Sequence, residues 1–147
     1  MLSATAIADQ LDGLVHFDTQ QAPQGIDLTV DALYRTMGHG QLDFGGSEFE
    51  AAPRARLTPV LDDPEDDYAW WTLQEGAYIV QYNESLTLDE GQQARISPLN
   101  RTLRAGAHHG TFVVDTGRDP LETLLVVTHR GCRFKENCRL SRLVVTE

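Results

Sequence analysis

The sequence has 147 residues, of which 41% are hydrophobic, so its length and composition fit one globular domain that spans residues 1–147. Its 22 acidic and 12 basic residues give a net charge of −10, which argues against a nucleic-acid partner because non-specific duplex binding needs a basic surface. No apolar run approaches the roughly 20 residues that span a bilayer, and the N-terminus lacks the charged-then-apolar pattern of a signal peptide, so we expect a cytoplasmic protein with no membrane partner.

The first predicted elements are a short helix and a strand. Residues 4–12 predict a helix, because Ser3 can cap its N-terminus and apolar side chains four residues apart line one face. Residues 26–30 alternate apolar and polar side chains and predict a strand. Within that strand Asp27 lies on the face opposite its apolar neighbours, which predicts a solvent-facing side chain. A role in a turn or in holding a metal-bound water is the alternative.

The central part of the chain, residues 36–67, predicts loops because four glycines and three prolines interrupt it. The acidic cluster at residues 62–67 has the oxygen ligands that a hard cation needs. It lacks the spaced ligands and the glycine of a calcium loop, so it predicts a solvated loop. The surplus of acids, with Lys135 as the only lysine, suits a salt-rich environment where salt screens self-repulsion.

The remainder of the chain predicts a series of short strands. They fall at residues 70–73, 78–82, 86–88, 94–97, 112–114, 124–128 and 139–145. Strands about ten residues apart, separated by turns, indicate a mainly β domain of the sandwich or barrel type with a short N-terminal helix.

Residues 98–117 concentrate side chains that can carry chemistry. The polar candidates between two apolar regions are Asn100, Arg101, Thr102, Arg104, His108, His109 and Thr111. Clustered arginines and hydroxyls can bind phosphate, because a guanidinium group pairs bidentately with phosphate oxygens. Asp115 ends an apolar run and could orient a water molecule. The alternative is a strand, a polar turn and a second strand without chemistry.

Two further pairs of residues are weaker candidates for a metal site. Cys132 and Cys138 are separated by five residues, which is not a usual zinc spacing, and predict ordinary, partly buried thiols. A cupin-like metal site on His108 and His109 is disfavoured, because adjacent residues of a strand point to opposite faces.

Several stretches, taken in order and spacing, resemble the dUTPase/dCTP deaminase superfamily. The N-terminal Leu-Ser with its short helix, and then residues 23–28, resemble the opening of dCTP deaminases. Residues 73–88 resemble the strand pair that follows, with Glu84 in the usual place.

The later motifs of the superfamily are matched in the same order. Residues 98–106 resemble the second motif, in which Pro98, Leu103, Arg104 and Gly106 are in register. Residues 114–117 resemble the third motif, whose Asp115 follows Gly106 by nine residues. Residues 137–145 resemble the closing strand.

This resemblance implies a β-clip fold and a homotrimer with active sites between subunits. It implies a deoxyribonucleoside triphosphate substrate, with Mg²⁺ carried by the triphosphate. By position, Asp115 would orient the attacking water and Arg104 would hold phosphate. The turn at residues 106–112, which includes His109 and Thr111, would read the pyrimidine through backbone groups. Asp27 would support the metal-bound water or the subunit contact.

The sequence departs from the superfamily pattern at the phosphate motif. Its Arg-Ser-Ser triplet is replaced by Leu99-Asn100-Arg101, although Arg101 and Thr102 could take over these contacts after a small shift. The glutamine of the closing strand is replaced by Arg142. We therefore predict a hydrolase that converts dUTP to dUMP and diphosphate through an altered phosphate site. The alternative is a non-catalytic nucleotide-binding or structural trimer.

A dCTP deaminase is a less favoured alternative. The deaminase general acid/base glutamate is expected about ten residues after the aspartate, where this chain has Leu125. Glu122 comes three residues too early, which puts it on the wrong face of a strand.

Overall fold

The computed structural model describes residues 1–114 and 118–147, and within them the chain is mainly β, as predicted. The helices are α1 (Ala4–Ala8), α2 (Phe17–Gln20) and α3 (Asn100–Ala105). The strands are β1 (Leu11–Asp12), β2 (Gln21–Ala22), β3 (Gly25–Thr36), β4 (Arg54–Arg56), β5 (Trp70–Leu73), β6 (Gly76–Tyr82), β7 (Ser85–Leu86), β8 (Gln93–Pro98), β9 (Ala107–His108), β10 (Phe112–Val114), β11 (Glu122–Val127), β12 (Cys132–Lys135) and β13 (Arg139–Thr146).

The long strand β3 joins two parts of one antiparallel sheet. Strand order along the sheet is β10-β8-β13-β3-β6-β11-β9, and β2 and β4 also pair with β3. Residues 26–29 of β3 pair with β13, whereas residues 30–35 pair with β6. The pairing with β6 is irregular between Val30 and Ala32. A bulge of this kind bends a strand and increases its twist. The sheet therefore curls, and it encloses a core of buried side chains from both parts.

The first half of β3 is buried on both of its faces. All residues from Gly25 to Val30 are buried, including Asp27 at 3% exposure and Thr29 at 2%. The predicted solvent-facing position of Asp27 is therefore wrong. Period-two alternation indicates which residues share a face, but it does not say whether other elements cover the polar face.

The N-terminal helix begins as predicted but is shorter. The Ser3 hydroxyl accepts a hydrogen bond from the backbone of Ala6 at 3.2 Å, and Ile7 is fully buried. The helix ends at Ala8 because the following residues form β1, which pairs with β7. Backbone pairing with a distant strand replaces the last predicted turn of the helix.

Residues 100–105 form helix α3 rather than the polar turn that the alternative interpretation expected. Leu99 precedes the helix without a capping side chain, and Gly106 ends it in the left-handed conformation with φ of 102°. The hydroxyl of Thr102 donates to the carbonyl of Leu140 at 2.6 Å, which fixes α3 on β13. This helix depends on tertiary contacts more than on local sequence signals.

The region predicted as loops is confirmed, with β4 as its short strand. Within it, residues 37–52 project several apolar side chains into solvent, and we call this segment the apolar arm. Its exposed residues are Met37 at 62%, Leu42 at 89%, Phe44 at 108% and Phe49 at 54%. The carboxylate of Asp43 accepts hydrogen bonds from the backbone of Gly46 and Glu48, so the tip of the arm has a defined internal framework. Across the described ranges, no helix is long and apolar enough to cross a membrane.

Candidate functional site

Asp27 lies at the centre of a buried cluster of charged side chains. Its Oδ2 accepts from Nη1 of Arg139 at 3.1 Å, and its Oδ1 accepts from Nε of Arg142 at 2.5 Å. The two arginines are about one-third exposed, whereas the Asp27 side chain is 4% exposed. One buried carboxylate thus holds two guanidinium groups whose remaining N–H donors can reach a ligand from solvent.

The sheet register explains how this cluster forms. Arg142 of β13 lies opposite Asp27 of β3 on one side and opposite Ser97 of β8 on the other. Continuing the β8–β10 register by one residue brings Thr111 beside Ser97. Cross-strand neighbours share a face of the sheet. Positions 27, 142 and 97 therefore form one row across three strands, and the extended register adds Thr111 just before β10.

Gly25 leaves space for the Arg142 side chain along this row. A Cβ atom at Gly25 would lie 2.7 Å from Cδ of Arg142 and 3.1 Å from the carbonyl oxygen of Leu143. Contacts this short force neighbouring atoms to move. The glycine is therefore part of the arrangement that allows Arg142 to reach Asp27.

Helix α3 separates the predicted phosphate-binding residues. Arg101 and Thr102 line a cavity, whereas Asn100 and Arg104 are exposed and do not line it. Thr102 is 5% exposed and uses its hydroxyl proton to hold the helix on β13. Thr102 consequently has a structural contact in place of a free hydroxyl, and Arg101 is the helix residue that brings charge to the cavity.

The cavity itself is strongly basic, and we call it the basic pocket. It has a volume of about 400 Å³ and lies between α3, β12 and the start of β13. The charged or aromatic side chains that line it are Trp70, Arg101, Arg133, Phe134, Lys135, Glu136 and Arg139. Sequence reasoning missed Trp70, Arg133 and Lys135 as site residues, because β5 and β12 come together only through the fold. The alternating Arg-Phe-Lys of β12 was the available signal, but it is too short to identify a strand.

Both cysteines also line the basic pocket and are free thiols. Cys132 is buried and Cys138 is half-buried, which confirms the predicted partly buried thiols. Burial raises the pKa of both thiols, that of Cys138 to about 11. At neutral pH they are therefore protonated and weakly nucleophilic.

His109 was predicted to bind substrate, but it lies in the interior at 4% exposure. Its Nε2 is 2.7 Å from the Ser141 hydroxyl, and its Nδ1 is 2.8 Å from the Gly110 carbonyl oxygen. Burial lowers the pKa of His109, so the ring is neutral at pH 7. Both ring nitrogens are used within the chain, which limits His109 to positioning the turn that leads to Thr111. His108 is exposed on the other face, so the two histidines do not share a site, as predicted.

The hydroxyl of Ser141 extends the His109 contact to a second buried group. Its oxygen is 2.7 Å from the hydroxyl of Tyr82, and burial raises the pKa of that phenol. Ser141 is fully buried, so this Ser–His pair cannot meet a substrate and acts as an internal connection between β13, β6 and the turn after β9.

Glu84, which lies in the usual place of the superfamily's strand pair, makes no ion pair with Arg101. Its carboxylate is instead buried at 1% exposure and accepts hydrogen bonds from Thr29 and Gln20. Burial raises the pKa of Glu84, and the donated hydrogen bonds oppose that rise. Its contacts join β3 to the last residue of α2, which is a structural role.

Asp115, with the rest of the third motif up to Gly117, lies outside the described residues. Val114, immediately before it, is buried at the end of β10. Leu125, at the position of the deaminase glutamate, is fully buried in β11. Glu122 pairs with Arg54 at 2.9 Å. Neither position offers an ionisable group that is free to move protons on a substrate.

The described side chains include no cluster of ligands for a resident metal ion. Among residues 1–114 and 118–147, no group of three His, Cys, Asp or Glu side chains converges. The two arginines on Asp27 also fit an anion better than a cation. A magnesium ion in this region would therefore be held mainly by the oxygens of a bound triphosphate.

Comparisons with known proteins identify relatives of this chain. No family model matches the sequence. The chain is 34% identical over 136 residues to a "Probable deoxyuridine 5'-triphosphate nucleotidohydrolase" of Methanosarcina acetivorans, covering 91% of this chain and 76% of that protein. It is 29% identical over 139 residues to a protein of the same description from Halobacterium salinarum, covering 95% and 81%.

A solved structure extends this likeness to the fold. The 2'-deoxycytidine 5'-triphosphate deaminase from Agrobacterium tumefaciens superimposes with a TM-score of 0.66 at 20% identity. The alignment covers 98% of this chain but 47% of the deaminase, so the chain spans about half the length of that protein. The curled antiparallel sheet with short helices is thus the β-clip fold of dUTPase-like proteins. The chain belongs to the dUTPase/dCTP deaminase superfamily, and within it to the family of the archaeal probable dUTP nucleotidohydrolases.

Proposed function

We propose that this protein hydrolyses dUTP to dUMP and diphosphate, with Mg²⁺ carried by the triphosphate. The observation that carries this proposal is the convergence of Arg139 and Arg142 on the buried carboxylate of Asp27. In a chain with a net charge of −10, these two oriented guanidinium groups form a local site for an anion, and Arg139 shares the basic pocket with the exposed Arg101. The relationship to proteins named as probable dUTP nucleotidohydrolases supports a deoxynucleoside triphosphate as that anion.

The arginines would stabilise the charge that develops on the phosphate oxygens during hydrolysis. Asp27 fixes Nε of Arg142 and Nη1 of Arg139, so their other N–H groups are oriented before a ligand arrives. Such preorganised donors lower the barrier because they need no rearrangement as charge develops. Phosphate contacts by Asn100, Thr102 and Arg104 remain part of the proposal, although Thr102 already donates its proton to Leu140.

Asp115 would orient the attacking water and take its proton. Water oxygen would form a bond to the α-phosphorus, the bond between that phosphorus and the bridging oxygen would break, and diphosphate would leave. Thr111 and the backbone of the turn after β9 would contact the pyrimidine, with His109 holding that turn in place. Asp27 would act on the metal-bound water shell only indirectly, because both of its carboxylate oxygens already accept from Arg139 and Arg142.

A non-catalytic nucleotide-binding protein is the second candidate, and one observation favours it. Leu99, at the position of the motif arginine, is 8% exposed and offers no donor to phosphate. Loss of that arginine could leave binding without turnover. Deamination of dCTP is not part of our proposal, because Leu125 is buried and Glu122 is paired with Arg54.

We also propose that the protein is a cytoplasmic homotrimer. The apolar arm supports an assembly, since contiguous exposed apolar side chains usually mark an interaction surface. A closed, symmetric arrangement would cover the arm of each subunit without forming an open filament.

The deciding experiment measures diphosphate and dUMP release from dUTP with magnesium at high salt. The wild type should turn over steadily, and Asp115→Asn should abolish release while the melting temperature stays the same. Asp89→Asn, which neutralises an exposed aspartate elsewhere, is the matched control and should retain full activity.

Two results would change this proposal. If the wild type binds dUTP but releases no diphosphate, the non-catalytic function is correct. If Asp115→Asn hydrolyses dUTP as fast as the wild type, the role assigned to Asp115 is wrong. Ammonia release from dCTP, followed in parallel, should stay at background.

A further inference from the structure

We propose that the apolar arm of one subunit docks into a cavity at the end of β3 of the next subunit. The contact is head-to-tail, and its repetition closes the ring of the homotrimer. This proposal rests on the proposed assembly and does not depend on dUTP hydrolysis. It assigns the surface that receives the arm, which the exposure of the arm alone does not identify.

The receiving cavity lies between the end of β3, residues 57–62 and strand β5, and we call it the receptor pocket. It has a volume of about 330 Å³, which can accept an aromatic side chain. Leu57, Val60 and Trp71 supply apolar lining. Val60 is 69% exposed and its neighbour Leu61 is 43% exposed, so apolar surface continues from the cavity onto its rim. A partner that covers this rim would remove that surface from water.

The charges of the arm and of the receptor pocket are complementary. The arm has three acidic residues and no Lys or Arg. Among the described residues, its exposed Glu48 and Glu50 form no ion pair, and neither does Arg35 at the receptor pocket. The second arginine of the receptor pocket, Arg133, is already paired with Asp62 at 2.7 Å. An apolar segment flanked by free carboxylates thus matches an apolar cavity with one free guanidinium group.

The arm is ordered before it meets a partner. The backbones of Gln41 and Glu50 exchange two hydrogen bonds, at 2.8 and 3.0 Å, and Nε2 of Gln41 donates to the carbonyl of Glu48 at 2.6 Å. This framework presents Leu42 at 89% exposure and Phe44 at 108% exposure. Because the backbone is already fixed, docking the arm costs less conformational entropy than docking a flexible loop.

The positions of the two surfaces require a contact between different subunits. Phe44 is fully exposed, so the arm does not fill the receptor pocket of its own chain. The arm and the receptor pocket have no residue in common, so the contact is heterologous, and heterologous contacts form rings when the rotation closes. The arm starts after Thr36, and an extended chain rises about 3.3 Å per residue, so its tip can reach roughly 25 Å.

Two complementary variants test the contact. The arm variant carries Leu42→Ser and Phe44→Ser, and the pocket variant carries Arg35→Glu and Val60→Ser. All four side chains are exposed, so both variants should fold. Each variant alone should be a monomer. An equimolar mixture at micromolar concentration should form a 1:1 dimer, because one intact arm meets one intact receptor pocket and the ring cannot close. Native mass spectrometry measures these masses.

Charge reversal tests the ionic part of the same contact. Arg35→Glu should weaken assembly about tenfold or more, as should Glu48→Lys combined with Glu50→Lys, because each places like charges together. A variant with all three changes should assemble as the wild type does. The matched control combines Arg56→Glu with Val15→Ser, two exposed residues outside the arm and the receptor pocket, and should remain a trimer.

Several outcomes would overturn the docking contact. A pocket variant that is a trimer would exclude the receptor pocket but leave the homotrimer in place. Two folded monomeric variants that do not combine on mixing would exclude a head-to-tail contact. If either variant fails to fold, the charge reversals decide, and failure of the triple change to restore assembly counts against the contact. A monomeric wild type would refute both the contact and the trimer, whereas dUTP turnover tests the hydrolysis separately.

Discussion

Gly25 links the local backbone to the chemistry of the candidate site, because its missing side chain leaves room for Arg142. We predict that Gly25→Ala displaces Arg142 from Asp27, since the new Cβ would lie 2.7 Å from Cδ of that arginine. The value of kcat/KM for dUTP should fall about tenfold or more, because the guanidinium group loses its orientation. Steady-state diphosphate release measures this effect.

The control for this variant is Gly45→Ala. Nothing lies within 4 Å of a Cβ atom at Gly45, which lies in the apolar arm. It should leave kcat/KM unchanged. Unchanged activity in Gly25→Ala would contradict the role given to Arg142.

His109 should make folding stability depend on pH. Burial lowers its pKa in the folded state, whereas the unfolded chain has the ordinary value of about 6.5. Below that value the unfolded state binds a proton that the folded state does not, so stability falls as pH decreases from 6.5 towards the lowered pKa. Above the unfolded pKa this contribution is fully present. Urea denaturation between pH 5 and pH 8 measures the slope.

The groups around His109 define the controls for that measurement. Ser141 and Phe112 contact the ring, the hydroxyl of Tyr82 contacts Ser141, and His108 is the nearby titratable group that lowers the pKa of His109 further. His109→Gln should flatten the slope between pH 5.5 and pH 6.5, whereas His108→Gln should largely keep it. An equally steep slope in His109→Gln would assign the effect to another residue.

The stability of helix α3 depends on the glycine that ends it. Gly106 adopts a left-handed conformation, and a Cβ there would also lie 3.1 Å from the hydroxyl of Thr128. We predict that Gly106→Ala lowers the free energy of unfolding by about 1–2 kcal/mol, since a non-glycine residue in this conformation is strained. Chemical denaturation of the purified variant measures the loss.

Gly110→Ala is the matched control for the helix end. Gly110 lies four residues further on and has no positive φ, and a Cβ atom at this position would have no other atom within 4 Å. Its replacement should change stability by less than about 0.5 kcal/mol. Equal losses in the two variants would show that the strain at Gly106 is not the cause.

The elements that sequence predicted well are those whose signals are local. Strand β6 and the buried end of β10 follow from alternation or from short apolar runs, and Ser3 marks the start of α1 as a capping residue. Helix α3 carries no such signal, because Leu99 cannot cap it and its anchor is the contact from Thr102 to Leu140.

The same reasoning applies to the candidate site. The motif order placed Asp27, Arg101 and Arg142 in recognisable stretches, but it did not predict that Arg142 pairs with Asp27. The basic pocket could not be predicted, because Trp70 and Lys135 become neighbours only when β5 pairs with β12, about 60 residues later in the chain. Burial of Asp27 was missed for a similar reason, since distant segments cover its face of the sheet.

At the scale of the whole molecule, the apolar arm should determine assembly. We predict that the wild type scatters light as a trimer at micromolar concentration and high salt. The double variant Leu42→Ser and Phe44→Ser should be largely monomeric, because it removes the most exposed apolar side chains from the arm. Multi-angle light scattering after size exclusion measures the mass.

A surface change outside the arm provides the comparison. Val15→Ser removes another exposed apolar side chain, 47% exposed, and should leave the mass unchanged. A monomeric wild type would contradict the trimer. A trimeric double variant would assign the subunit interface to another surface.

The two thiols of the basic pocket make the opening of this region measurable by alkylation. At pH 8 a thiol with a pKa of about 11 is ionised in about one molecule in a thousand, against about one in four for an ordinary cysteine. Iodoacetamide should therefore react with Cys138 mainly when the turn between β12 and β13 opens and the pKa returns to its ordinary value. A mass-spectrometric time course would then report how often that wall of the pocket comes apart, and a ligand bound there should slow the labelling.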